Sequence, residues 1–356
     1  MESDARELPR FIGRYEIEGE EAEGGMGHVY VARDPRVKRR VAVKLLKKLY
    51  SSDPGIRRRF EQEAEAVAAL EHEAIVPVYD FGEHEGMLYI VMRYVGGGTL
   101  RDRIRAEQKL RLRDIASVID RVASALGAAH ARGLVHRDIK PANILFDERE
   151  VPYLSDFGVA KAAETIEETG TMMLGTPQYL SPEQAMGGEV DARSDVYSLG
   201  VVAFHAITGR PPFEAKNPMA MAMAHVMRKP PRIRELAPEL PPVADEVFEQ
   251  VLAKDPELRY QSAERFARDL RDLASGRWYL VKLSNKLGLA TAPPTRPEPV
   301  AVPVPEPEPE PATGKARERQ RTLPFRPRQV EHTLPDTSLR DFDDLDDLDE
   351  DETKLL

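Results

Sequence analysis

Cysteine does not occur anywhere in the 356 residues. That absence excludes disulfide staples, thiol nucleophiles, iron–sulfur clusters and cysteine-ligated zinc, and it suits a reducing compartment. Long apolar runs are missing as well. A membrane helix needs roughly 18 consecutive apolar residues; the best stretch, Gly200 to Ile207, is short and interrupted by His205. Met1 to Arg10 is polar, without the apolar segment of a signal peptide. Positive charge is in deficit. The formal net charge of −10 argues against nucleic acid as the main partner. The expectation is a cytoplasmic protein with no membrane span and no nucleic-acid ligand.

What is present is unevenly spread. Residues 293–311 hold nine prolines alternating with Glu and Val, residues 315–332 carry six Lys/Arg against two Glu, and residues 336–356 carry ten acidic against two basic residues. A proline run of this kind forms neither a helix nor a central strand and reads as an extended spacer. Everything beyond about Ala290 lacks the apolar periodicity of a core and reads as disordered. The globular part spans Tyr15 to Leu273. Its first third offers strand-like runs at Tyr15–Ile17, His28–Ala32, Val41–Leu45, Val76–Tyr79 and Leu88–Met92, interrupted by one helical stretch, Arg57–Leu70. From Thr99 onward helices dominate: Ile115–Ala131, Ser194–Thr208, Val243–Ala253 and Ser262–Leu273.

Chemistry concentrates in three places. Gly24, Gly25 and Gly27 lie between two strand-like runs, where glycines let a loop approach an anion and present backbone N–H groups. Alone this is a hairpin turn. Lys44, inside the apolar run Val41 to Leu45, changes the odds, because an ammonium on a buried strand needs a partner; Glu63 on the following helix is the candidate counter-ion. Next, His136, Arg137, Asp138, Lys140 and Asn143 form a dense polar cluster before an apolar run, and Asp156, Phe157 and Gly158 follow it. A carboxylate and an amide oxygen brought together suit Mg²⁺, which takes few protein ligands.

In their order and spacing these motifs resemble the eukaryotic-type protein kinases, in particular the bacterial serine/threonine kinases, over Tyr15 to Leu273. The resemblance implies an α+β, bilobal kinase fold over residues 15–273. A small β-rich lobe (15–95) would precede a larger helical lobe (99–273). Residues 1–14 would form an N-terminal extension, 274–290 a further extension of ambiguous character, 291–314 a Pro-rich linker and 315–356 a disordered, basic-then-acidic tail. The implied cofactors are ATP and Mg²⁺, with Mn²⁺ as a substitute. Ala22, Gly24, Gly27, Val29, Ala42, Lys44, Glu63 and Val95 would bind the nucleotide, Val95 through the backbone of a hinge whose gatekeeper is Met92. Asp138 would be the catalytic base, with Lys140 and Thr176 beside it, and Asn143 and Asp156 the metal ligands. Lys140 together with the Gly175–Tyr179 segment matches the serine/threonine pattern. Glu183, in the motif closing the activation segment, would pair with Arg259, and Asp195 would brace the catalytic loop.

Two positions depart from the family's pattern. Ala22 stands for the first loop glycine, at small cost if its backbone is extended, and Arg93 stands for a common hinge glutamate. A pseudokinase is disfavoured because Lys44, Asp138, Asn143 and Asp156 are all present. A small-molecule phosphotransferase is disfavoured by Thr176 and the Ser181–Glu183 motif. By the same resemblance, Arg137 implies activation by phosphate on the segment Asp156 to Glu183, which holds Thr165, Thr169, Thr171 and Thr176, through autophosphorylation at Thr169, Thr171 or both. In the tail, the repeated Thr-Leu-Pro at Thr322 and Thr333 offers autophosphorylation sites for a partner with a forkhead-associated domain, set against chance recurrence of ordinary residues. Methionines 219, 221, 223 and 227 suit a helix packing face or a docking surface rather than a cofactor box.

Overall fold

The computed structural model describes residues 8–24, 27–48, 54–157 and 177–279. Thr165, Thr169, Thr171, Thr176, the Pro-rich linker and the tail threonines lie outside the described residues. The first lobe is an antiparallel sheet ordered β1-β2-β3-β4-β6-β5, from β1 (Phe11–Ile12), β2 (Tyr15–Gly24), β3 (Gly27–Asp34), β4 (Arg39–Leu46), β5 (Val78–His84) and β6 (Met87–Arg93). The sheet takes in residues ahead of Tyr15. Ile12 is fully buried and pairs with Tyr15. Side chains alternate across β4, as strand geometry requires. Val41, Val43 and Leu45 join Tyr15, Tyr30, Tyr89 and Val91 in an outer core, while Ala42 packs against the main core on the other face. The helix α1 (Pro54–Ala68) covers the inner side, with Phe60, Ala64 and Val67 in that main core.

The strand expected at Val76–Tyr79 is displaced to β5, Val78–His84. Val76 donates its N–H to Leu154, and the chain pairs there before turning into β5. The polar residues Asp80, Glu83 and His84 hid the strand, because an edge strand tolerates them without apolar alternation.

The second lobe opens with α2 (Leu100–Glu107), started by a capping box in which Thr99 and Asp102 satisfy each other's backbone N–H groups. Then come α3 (Leu112–His130), the hairpin β7 (Ile144–Phe146) and β8 (Pro152–Leu154), α4 (Pro182–Met186) and α5 (Ala192–Thr208). They are followed by α6 (Pro218–Met227), α7 (Ile233–Leu236), α8 (Val243–Val251) and α9 (Ala263–Ala274). The periodic apolar stripe of α3 (Ile115, Val118, Ile119, Val122, Leu126) faces the core, and α5 is buried on every side, as befits a central helix. On α6, Met221 is buried whereas Met219, Met223 and Met227 are exposed. Among the described residues no helix is long and apolar enough to cross a membrane.

Candidate active site

Lys44 sits on the central strand β4, facing Val29 of β3 and Ile90 of β6 in register. Ala42, two residues earlier, shares its face. Gly27 closes the β2–β3 hairpin against β4 so tightly that a Cβ there would lie 2.0 Å from the carbonyl oxygen of Leu45. Only glycine fits. Ala22 lies within β2 opposite Val29, without a positive φ, so the alanine is accommodated in extended backbone without strain. Val95, partly buried, packs on the main core after β6. Just beyond it, Gly97 donates its N–H to Phe146 at 2.7 Å, in a space where a Cβ would strike the carbonyls of Phe146 and Asp147.

The β7–β8 hairpin brings the polar cluster together. Ile144 pairs with Leu154, and Ser155 N–H donates to the carbonyl of Asn143 at 2.9 Å, so Asp156 emerges beside Asn143. The Asn143 amide group donates to the Asp138 carbonyl at 2.8 Å and to Asp138 Oδ2 at 3.1 Å. Lys140 Nζ reaches the same Oδ2 at 2.7 Å. Across the cleft, Lys44 Nζ lies 2.9 Å from Asp156 Oδ1. One ammonium from the sheet lobe thus meets the carboxylate that closes the hairpin of the helical lobe.

The loop around Asp138 is rigidly braced. Asp195, in the first turn of α5 and almost fully buried, accepts from His136 N and Arg137 N at 2.8 Å and lies 2.8 Å from His130 Nε2. These bonds hold Arg137 at a φ of 64°, a left-handed conformation costing about 1–3 kcal/mol that only surrounding structure maintains. His136 Nδ1 accepts from Asp138 N–H at 3.2 Å, and its Nε2 lies 3.0 Å from the Ser155 carbonyl, so Nε2 carries the proton. Burial lowers the His136 pKa against the pull of Asp195 and Asp138, which keeps the ring neutral.

The expected Lys44–Glu63 pair is not formed among the described residues; the ammonium meets Asp156 instead. Glu63 is half-buried on α1. Burial raises its pKa, opposed by the charges of Arg137 and Arg59. Glu183 does meet Arg259, at 2.7 and 2.8 Å in a fork. Three residues of the site carried no recognisable sequence signal. His130 at the end of α3, Ser194 donating to Glu183 at 2.5 Å, and Gln184 donating to the Arg137 carbonyl at 2.8 Å all act through contacts distant in sequence.

Comparison with known proteins bears on the whole arrangement. The protein kinase domain family matches residues 15–270. The chain belongs to the protein kinase family. It is 43% identical over 271 residues to the serine/threonine-protein kinase PknA of Mycobacterium tuberculosis, covering 74% of this chain and 62% of PknA. To PrkC of Bacillus subtilis it is 39% identical over 263 residues, covering 74% of this chain and 41% of the relative. The chain therefore spans under two thirds of the length of these curated relatives. Among solved structures, the crystallised kinase domain of Mycobacterium tuberculosis PknI superposes with a TM-score of 0.62 at 31% identity, covering 74% of this chain and 97% of that domain. The kinase fold of a sheet lobe followed by a helical lobe is common to both.

Proposed function

We propose that this protein is a serine/threonine protein kinase that transfers the γ-phosphoryl group of Mg·ATP to hydroxyls of protein substrates. The observation that carries this reading is the convergence of Lys44, Asp138, Lys140, Asn143 and Asp156 from two lobes into one cluster. Both metal-facing residues fit a hard divalent cation. The Asn143 NH₂ group is committed to Asp138, which turns its amide oxygen to other duty, and Asp156 adds a carboxylate. Such a cation, when bound, neutralises phosphate charge.

The chain's own groups do the rest by positioning and charge. Lys44 is placed to hold the nucleotide phosphates. Asp138, its Oδ2 gripped by Lys140 and Asn143, is oriented to receive the proton of the acceptor hydroxyl. Lys140, beside it, offsets negative charge at the transferred group. Replacing Asp138 with Asn should cut turnover about 10²–10⁴-fold, the ordinary worth of a positioned base, while leaving nucleotide binding intact. Lys44→Met should abolish transfer as well. Radiolabelled phosphate transfer to a generic protein substrate checks both, and normal rates in the two variants would end the kinase reading.

Regulation extends the same proposal. Autophosphorylation at Thr169, Thr171 or both would place a phosphate near Arg137, whose side chain is exposed. Autophosphorylation at Thr322 and Thr333 would then create docking sites for a forkhead-associated partner in cytoplasmic signalling. Phosphosite mapping after incubation with Mg·ATP, beside Asp138→Asn, reads all of these positions at once.

A further inference from the structure

The short turn Pro177–Tyr179 leads into α4, and two histidines from different helices hold it. His225 of α6 is fully buried. Its Nε2 lies 3.1 Å from the Gln178 carbonyl and its Nδ1 3.0 Å from the Tyr197 hydroxyl. A carbonyl only accepts, so Nε2 carries the proton and Nδ1 accepts from Tyr197. Burial, reinforced by the Lys254 charge, lowers the His225 pKa to about 4, and the ring is a neutral connector at ordinary pH. The connector is itself anchored. Lys254 donates to the His225 carbonyl at 2.5 Å, and Arg259, while gripping Glu183, donates to the Lys254 carbonyl at 2.8 Å.

The next residue is held from the other side. The Tyr179 hydroxyl lies 2.8 Å from His205 Nδ1 on α5, with the two rings stacked at 6.1 Å. The turn is also tied to the catalytic loop, since Gln184 of α4 donates to the carbonyl of Arg137, the residue before Asp138. Through α4, the turn is thus linked to the backbone that leads into Asp138. The nucleotide face, by contrast, is built from β3, β4 and the segment after β6.

We infer that His225, seconded by His205, is a positioning residue for the protein substrate, setting the Gln178–Tyr179 backbone that leads into α4 and, through Gln184, to the catalytic loop. This rests on the kinase reading. Neither histidine touches the base, the metal ligands or Lys44.

Two substitutions separate positioning from mere folding. His225→Phe keeps a planar ring and loses both hydrogen bonds; His225→Gln keeps an amide donor for the Gln178 carbonyl and an acceptor for Tyr197. Steady-state kinetics on the full chain, with myelin basic protein and Mg·ATP, should show the KM for protein raised about tenfold in His225→Phe, the scale of one lost buried hydrogen bond. The KM for ATP should stay within about twofold, and His225→Gln should recover most of the loss, by the same hydrogen-bond argument. His205→Phe should show the same split more weakly, and it serves if His225→Phe does not fold. Unchanged protein KM in these variants, or protein and ATP KM rising together without rescue by Gln, overturns the inference. A wild-type protein as inert as Asp138→Asn would instead sink the kinase reading, and this inference with it.

Discussion

Arg259 has five N–H donors, and the fold supplies an acceptor for each: both oxygens of Glu183 and the carbonyls of Ala253, Arg193 and Lys254. A fully buried guanidinium is tolerable only on those terms. Its carboxylate partner is held correspondingly. Burial raises the Glu183 pKa, but the Arg259 fork and the Ser194 hydroxyl outweigh it and keep the group below its ordinary value. The stability this provides is present above the unfolded pKa of about 4.3 and is lost as pH falls through the lower folded value. Glu183→Ala strands the guanidinium and should cost about 3–5 kcal/mol, the usual penalty for breaking a buried pair. Urea unfolding at pH 7 measures it, and a loss below about 1 kcal/mol would contradict the account. The sequence announced Glu183, Arg259, Asp138, Asn143 and Asp156, because their neighbours form local patterns. It was silent on His130, Ser194 and Gln184, whose roles depend on residues some 11 to 65 positions away.

At the level of elements, apolar periodicity located the helices well where one face is buried, as in α3 and α9. It failed for β5, an edge strand whose polar residues conceal its pairing. On α9, Asp269 is buried and accepts from the Tyr260 hydroxyl at 2.9 Å. Burial above all, with the charge of Asp272, raises its pKa to about 6 despite the Tyr260 bond and Arg268. Between the unfolded value near 3.9 and that folded value, the native state holds more protons than the unfolded chain. Stability therefore falls as pH rises through this window, and the cost is fully present above it. Asp269→Asn keeps an acceptor for Tyr260 and removes the charge. It should stabilise the protein at pH 7 by about 1–3 kcal/mol and flatten the pH dependence between about 4 and 6. Thermal unfolding across that range is the check. Equal melting temperatures of variant and wild type at pH 7 would refute it.

For the whole molecule, the decisive feature is which carboxylate holds Lys44. Asp156 does so here, at 2.9 Å, while Glu63 stands apart in the field of Arg137 and Arg59. A phosphate on Thr169 or Thr171 would offer Arg137 a stronger partner and shift that balance of charge. Dephosphorylated wild-type protein should gain about tenfold or more in rate on preincubation with Mg·ATP, as expected of a charge-driven ordering switch, whereas Thr169→Ala/Thr171→Ala should remain at the starting rate. Full activity of the double variant would dispose of the idea. By itself the sequence determined the family and the order of the lobes and pointed to the residues proposed as reacting groups, because glycine-rich turns, buried-strand lysines and clustered polar residues leave short-range patterns. Only the tertiary structure decided that Lys44 pairs with Asp156 rather than Glu63, that Ala22 fits without strain and that His225 grips Gln178. Those outcomes depend on distances of a few ångströms between elements remote in the chain, where Coulomb and hydrogen-bond energies change steeply and local pattern carries no information.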